Sequence, residues 1–242
     1  VYWSSRSLPS GIWAGVSDRF GRLMGPTILL LAGEPSGDHH GAALAVSLKA
    51  RYPGARLVGM GGDRMKAEGV ELLAELDDLA VMGFVEILPR IPYFWKLQRQ
   101  IVRLLDEAKP HLVVLVDYPG FNMRIARAAS DRGVAVLYYI APQLWAWRTG
   151  RATALAETTD RVAVILPFEE DFLTGLGVDA TYVGHPLLDR PDDVPEREAF
   201  FATWGLDPAR PLLAMLPGSR KQELDRHLDP FRLIAERVVQ KR

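Results

Sequence analysis

The chain of 242 residues is 48% hydrophobic and 24% charged, the balance of a folded globular protein rather than a disordered or fibrous one. Its formal net charge of -1 excludes a global attraction to nucleic acid or anionic membrane, and its length admits one large domain or one domain plus part of another. The lack of cysteine excludes disulfides and thiolate metal sites and suits a reducing compartment; the five histidines are scattered, so no metal or other cofactor is expected.

Residues 1–23 mix Trp, Ser, Gly and Arg without the apolar core of a targeting signal, and Met24 precedes the first apolar run, so they read as an upstream extension. Apolar runs of strand length then alternate with helical patterns. TILLLAG (27–33) leads through a Gly-rich turn to a helix over 39–51, and ARLVGMGG (55–62) follows. A helix over 93–108 precedes HLVVLVD (111–117), and one over 121–132 precedes VAVLYYIAP (134–142). RVAVILP (161–167) leads to a helix over 168–176 and then to ATYVGHP (180–186). Near-continuous apolar strands separated by helices predict a doubly wound parallel α/β sheet, a Rossmann-like domain over 24–186.

Residues 187–197, LLDRPDDVPER, concentrate Pro and charge and read as a linker. PLLAMLPGSRKQEL beyond it reads as a strand, a turn and a helix start, with Ser219 and Gln222 spaced as a capping box. A second Rossmann-like domain is therefore expected to begin at 198 and to be only begun by 242, where an amphipathic pattern stops without cap or tail, as in a fragment. No run approaches the roughly 20 apolar residues of a membrane span.

Ligands of such sheets sit beyond the carboxyl ends of the strands. Asp117 ends the most apolar run and is placed for a general base, with a turn or N-cap aspartate equally open. The turn GEPSGD has neither the Walker ending nor the glycine spacing of a dinucleotide fingerprint. Glu34 and Asp38 would repel phosphate but could accept hydrogen bonds from sugar hydroxyls. In PGSRK, Gly218, Ser219 and Arg220 offer backbone donors and a guanidinium suited to phosphate, against the alternative of an ordinary capped turn. The stretch from Val81 to Leu105, with Phe84, Ile87, Phe94, Arg90, Lys96, Arg99 and Arg103, reads as a core helix with a solvated basic face or as a surface meeting lipid. YYIAPQLWAWR reads as core or cleft packing, and His185 as a turn residue or a ligand.

Seven stretches in order, AGEPSGDHHGA, GFVEILPR, VDYPGFN, YYIAPQLWAWR, LPFEEDF, YVGHPLLD and LPGSRKQEL, resemble the lipid-A-disaccharide synthases. The resemblance implies a two-domain, inverting GT-B glycosyltransferase that needs no metal. It would transfer 2,3-diacylglucosamine from UDP to 2,3-diacylglucosamine 1-phosphate through a β-1,6 bond, in the lipid A biosynthesis of Gram-negative bacteria. It assigns Asp117 as base, Gly33, Glu34, Ser36, Gly37, Asp38 and Asn122 to the sugar cleft, and Gly218, Ser219 and Arg220 to the diphosphate. It turns the Val81–Leu105 segment toward the inner membrane surface, as in a peripheral cytoplasmic protein, and allows a homodimer. Two departures stand out: Gly120 replaces a second acid common in the family's loop, and most of the C-terminal domain is expected to be missing. A non-catalytic nucleotide-sugar or lipid-binding module, or another nucleotide-sugar enzyme on the same scaffold, are the alternatives.

Overall fold

Alternate residues of the apolar runs bury on opposite faces of one sheet, and this pattern organises residues 1–190, the first of two compact units into which the chain divides. The computed structural model describes residues 25–76, 91–144, 150–189, 195–218 and 221–240. Strands β1 (Thr27–Ala32), β2 (Arg56–Gly61), β3 (Glu71–Glu75), β4 (Leu112–Val116), β5 (Ala135–Tyr139), β6 (Arg161–Val164) and β7 (Ala180–Tyr182) form a seven-stranded sheet in the order β3-β2-β1-β4-β5-β6-β7. Every pairing in it is parallel.

Six helices of this unit are described: α1 (Pro35–Arg51), α2 (Asp63–Ala67), α3 (Ile91–Glu107), α4 (Pro119–Ser130), α5 (Arg151–Thr158) and α6 (Pro167–Thr174). On one face Leu29, Leu31, Val113, Leu115 and Val136 share a buried cluster with Ile101 and Leu105 of α3 and Ile125 of α4. On the other, Ile28, Leu30, Leu112 and Val114 share one with Ala45 and Leu48 of α1 and with Met65 of α2. The expected doubly wound sheet is what forms, because period-two burial on both faces leaves each strand needing helices above and below it.

Three connections share one spacing. β1, β4 and β6 each end two residues before the proline that opens the next helix: Gly33-Glu34 before Pro35, Asp117-Tyr118 before Pro119, and Ile165-Leu166 before Pro167. Proline suits the first helical position because its missing N–H is one that the helix would leave unpaired and its φ is already helical. The helices therefore start earlier than the expected 39, 121 and 168, and two residues after each strand remain at the carboxyl edge of the sheet.

Other departures follow from exposure. Strand β3 was not expected, since its outer position leaves Glu71 and Glu75 in water and breaks the apolar run. The short helices α2 and α5 also lie outside the expected elements. In the second unit, residues 191–242, α7 (Arg197–Thr203) and α8 (Lys221–Gln240) form, but the strand expected from PLLAML does not. Leu212, Leu213 and Leu216 are exposed there, because a strand needs neighbours to take its backbone hydrogen bonds and residues 195–218 contain none. The helix start at Ser219 lies outside the described residues, as do residues 1–24 and Trp145 and Trp147.

Gly59 of β2 pairs with Leu30 of β1, and a Cβ on it would overlap the Leu30 carbonyl, a backbone group that cannot swing aside. Gly59→Ala is expected to destabilise the chain by about 3 kcal/mol, the upper part of the overpacking range, or roughly 6–12 °C in a chain this long. A thermal melt by circular dichroism checks this, and a midpoint within about 2 °C of the parent would refute the close approach.

Candidate active site

The strand order reverses direction between β1 and β4. From β1 the chain proceeds to β2 and β3 on one side, and from β4 to β5, β6 and β7 on the other, so the loops leaving the two strands diverge and open a crevice. Ala32 and Val116 are register partners at the ends of these strands. The two-residue connections Gly33-Glu34 and Asp117-Tyr118 therefore stand side by side at the mouth of the crevice.

Asp117 and Tyr118 both adopt left-handed backbone, with φ of 45° and 51°. Asp tolerates this region better than most residues, Tyr less so, and each non-glycine residue held there costs about 1–2 kcal/mol. The turn is held from several sides. The Asp117 N–H donates to the Tyr139 carbonyl at 3.1 Å, and its own carbonyl accepts from Asn122 Nδ2 at 2.7 Å and from the Tyr138 hydroxyl at 2.8 Å. The Tyr118 carbonyl accepts the Phe121 and Asn122 N–H groups at 3.3 and 3.1 Å, starting α4. The Tyr118 ring lies over Gly33 so closely that any Cβ there would overlap it, which is the reason for glycine at that position. Ile140, after β5, is a third left-handed residue on this edge, with φ of 64°.

The acids and amides of these loops divide into two groups. Asp38, expected to face sugar hydroxyls, is 5% exposed, and its carboxylate accepts the N–H groups of Gly62 at 2.7 Å, Met65 at 3.0 Å and Arg64 at 3.2 Å. It ties α1 to the β2–α2 turn and caps the short α2 from a distance, so the sugar-facing reading is corrected. Asn122, also expected at the substrate, is wholly buried, and its amide nitrogen holds the carbonyls of Asp117 and, at 3.3 Å, Val116. Gly33 and Gly37 are buried too, and both are closely packed, Gly33 under the Tyr118 ring and Gly37 against Ala32. Glu34 and Asp117 remain partly exposed and Ser36 exposed. Glu34 and Asp117 lie close enough for the charge of one to act on the other, at the mouth of the crevice.

Residues 28–242 match the family model described as "Lipid-A-disaccharide synthetase". The chain is 44% identical over 211 residues to a lipid-A-disaccharide synthase of Anaeromyxobacter sp. (strain K), covering 87% of this chain and 55% of that one. It is 43% identical over 217 residues to that of Myxococcus xanthus (strain DK1622), covering 90% and 57%. The chain belongs to the lipid-A-disaccharide synthase family. It spans a little over half the length of these relatives. Its fold also resembles that of a UDP-GlcNAc 2-epimerase from Neisseria meningitidis, with a TM-score of 0.51 at 11% identity over 67% of this chain and 47% of the epimerase. The α/β class with a GT-B type, Rossmann-like parallel sheet is thus shared with nucleotide-sugar enzymes.

At Gly120, where the resemblance leads to the expectation of a second acid, a Cβ would meet open space. Packing does not exclude an acid at this position. The basic segment is also sorted by α3. Leu97, Ile101 and Leu105 face the core, and Phe94, expected to meet lipid, packs against that core with its ring 6.2 Å from Phe121. Phe94 is therefore corrected to a packing residue, since the 3.6-residue period turns it inward beside Leu97. Lys96, Arg99 and Arg103 are exposed on the other side with Trp95, and a shallow depression of about 550 Å³ joins Trp95, Arg99 and Arg103 to Arg124 of α4. Phe84, Ile87 and Arg90 lie outside the described residues, as do Ser219 and Arg220. Gly218, in the second unit, has φ of 116°, and the Glu223 carboxylate fills the space beside it. His185 accepts the Leu187 N–H on Nδ1 at 3.2 Å, a turn contact.

Sequence reasoning missed Tyr118 and Tyr138. A tyrosine in an apolar strand signals a buried hydroxyl that needs a partner, and Tyr138 finds it on the turn. The Asp117 carboxyl is held above its usual range by burial and then by the charge of Glu34, opposed by the Tyr118 N–H. The Tyr118 hydroxyl is raised by the same burial and charge, and burial pushes Tyr139 up to about 12.

A carboxyl whose folded pKa is raised destabilises the fold once ionised: stability is complete below the unfolded value and is lost as pH rises toward the folded one. Asp117→Asn, an uncharged residue that also tolerates left-handed backbone, is expected to melt a few degrees above the parent at pH 7. The gap should close when both are melted near pH 3.5. A variant less stable at both pH values would refute the electrostatic account.

Proposed function

We propose that the crevice at the β1–β4 switch point performs the acceptor side of inverting glycosyl transfer from a UDP-linked 2,3-diacylglucosamine to 2,3-diacylglucosamine 1-phosphate. The observation that carries the reading is Asp117: a half-buried carboxylate of raised basicity, on a rigid turn at the ligand edge of the sheet, beside a second acid. Asp117 takes the proton from the acceptor 6-hydroxyl as that oxygen attacks the anomeric carbon, and the bond to UDP breaks on the opposite face. The hydroxyl becomes acidic only as the new bond forms, so a carboxylate suffices. Its raised pKa makes it a better proton acceptor than an ordinary aspartate. Glu34 and Ser36 bind sugar hydroxyls. The diphosphate falls to the Gly218-Ser219-Arg220 turn by sequence alone, and the Glu223 acid beside Gly218 has to be outweighed by the backbone donors and Arg220.

In the chain extended to the length of its relatives, UDP release should require the acyl-sugar acceptor, and Asp117→Asn should lower turnover by about 10²-fold or more. The acid limb of the parent's pH–rate profile should lie above the ordinary aspartate value, because the base must ionise first. Turnover above about a tenth of the parent in the variant would remove Asp117 from this role.

Both substrates are lipids, so the enzyme works at a bilayer, and the exposed Trp95, Lys96, Arg99 and Arg103 on α3 support peripheral attachment to the cytoplasmic face of the inner membrane. No helix among the described residues is long and apolar enough to cross a membrane. Each basic residue contributes about 1 kcal/mol at an anionic surface, so replacing Lys96, Arg99 and Arg103 by Ala should weaken binding to phosphatidylglycerol-containing vesicles roughly 10²-fold. Salt should reduce the parent's binding, and Trp95→Ser should remove a part that salt does not affect. Co-sedimentation in which parent and triple variant bind alike would return this face to ordinary solvated surface.

A further inference from the structure

The left-handed pair Asp117-Tyr118 would relax to ordinary backbone unless something opposed it. Two wholly buried side chains converge on one atom, the Asp117 carbonyl oxygen: Asn122 Nδ2 at 2.7 Å from α4 and the Tyr138 hydroxyl at 2.8 Å from β5. The amide of Asn122 can face this way only with its nitrogen toward the turn, since both groups it meets there, the Asp117 and Val116 carbonyls, are acceptors. That orientation leaves Asn122 Oδ1 buried with no hydrogen-bond partner. A buried polar atom left unpaired is destabilising, and an aliphatic residue of similar size would avoid it. The arrangement accepts this penalty and obtains two donors on the carbonyls that bracket Asp117. Tyr138 acts likewise: its ring sits in the core cluster with Leu115 and Val136, where phenylalanine would pack as well, and its hydroxyl reaches the turn.

We propose that Asn122 and Tyr138 are positioning residues: a two-donor clamp on the Asp117 carbonyl that holds the left-handed turn and thereby fixes where the Asp117 carboxylate projects. Its importance for catalysis rests on the reading of Asp117 as the base, but the clamp itself is a statement about the turn and is tested without turnover.

The test uses the chain labelled with 13C and 15N, as the parent and as Tyr138→Phe and Asn122→Leu. The Asp117 carboxyl carbon is titrated by NMR, and exchange of the Asp117 amide, which donates to Tyr139, is followed beside that of Val114 in mid-strand. Losing either donor should let the carboxylate swing toward water, moving its titration midpoint down toward the ordinary aspartate range, and should speed Asp117 exchange at least tenfold with Val114 unchanged. Tyr138→Phe keeps the ring and so the fold, which leaves the test intact if Asn122→Leu does not fold. Midpoints and exchange equal to the parent's in Tyr138→Phe would overturn the clamp, whatever the melting temperature. Failure of the base reading is a separate outcome, retained turnover in Asp117→Asn, and leaves the titration result standing.

Discussion

The parallel pairing of β1 with β4, in a register that sets Ala32 opposite Val116, is the constraint on which the site depends. It makes two connections that are 84 residues apart in sequence neighbours in space, and the reversal of strand order at the same place makes the chain diverge on either side of them. A one-residue slip in this pairing would exchange the buried faces of β1, so the two apolar clusters that hold the sheet also hold the register. Core packing and site geometry are thus enforced by the same residues, and the Tyr118 ring over Gly33 closes the contact between the two loops.

The proline that opens α1, α4 and α6 extends this control to the loops. With only two residues between strand and helix, the chain has no slack, and left-handed backbone at Asp117 and Tyr118 is one way to make so tight a turn. Strain of this kind persists only where surroundings over-determine it. Here the surroundings are a helix start, a neighbouring strand carbonyl and two buried donors, each useful to the fold in its own right.

Much of this was legible in the sequence. The six strands with continuous or nearly continuous apolar runs were read within a few residues, because burial on both faces leaves little room for polar residues. The edge strand Glu71–Glu75 escaped, since one exposed side is enough to disguise it. Asp117 was legible as the acid at the end of the central strand. The division of labour among GEPSGD and YPGFN was not, because residue type alone does not say whether a carboxylate or amide faces a ligand or a backbone N–H. Asp38 and Asn122 look like ligand residues in one dimension and prove to be joints of the scaffold in three. Phe94 and Trp95 are adjacent aromatic residues in a basic stretch, and only the phase of α3 separates the one in the core from the one at the surface.

The contrast between Asp38 and Asp117 shows what such a site requires of its acids. Asp38 receives three backbone N–H groups, which hold its buried carboxylate within the scaffold. Asp117 lies half-buried beside the charge of Glu34, and both hold its carboxyl above the usual range, opposed by the Tyr118 N–H. Backbone donors aimed at a carboxylate fix its place in the scaffold, whereas burial beside a like charge raises its basicity. Two separate stretches, GEPSGD and VDYPGFN, supply these acids, and it is the supply of backbone donors, set by the β2–α2 turn on one side and the tight β4–α4 turn on the other, that ties Asp38 into the scaffold and leaves Asp117 half-buried at the carboxyl edge of the sheet.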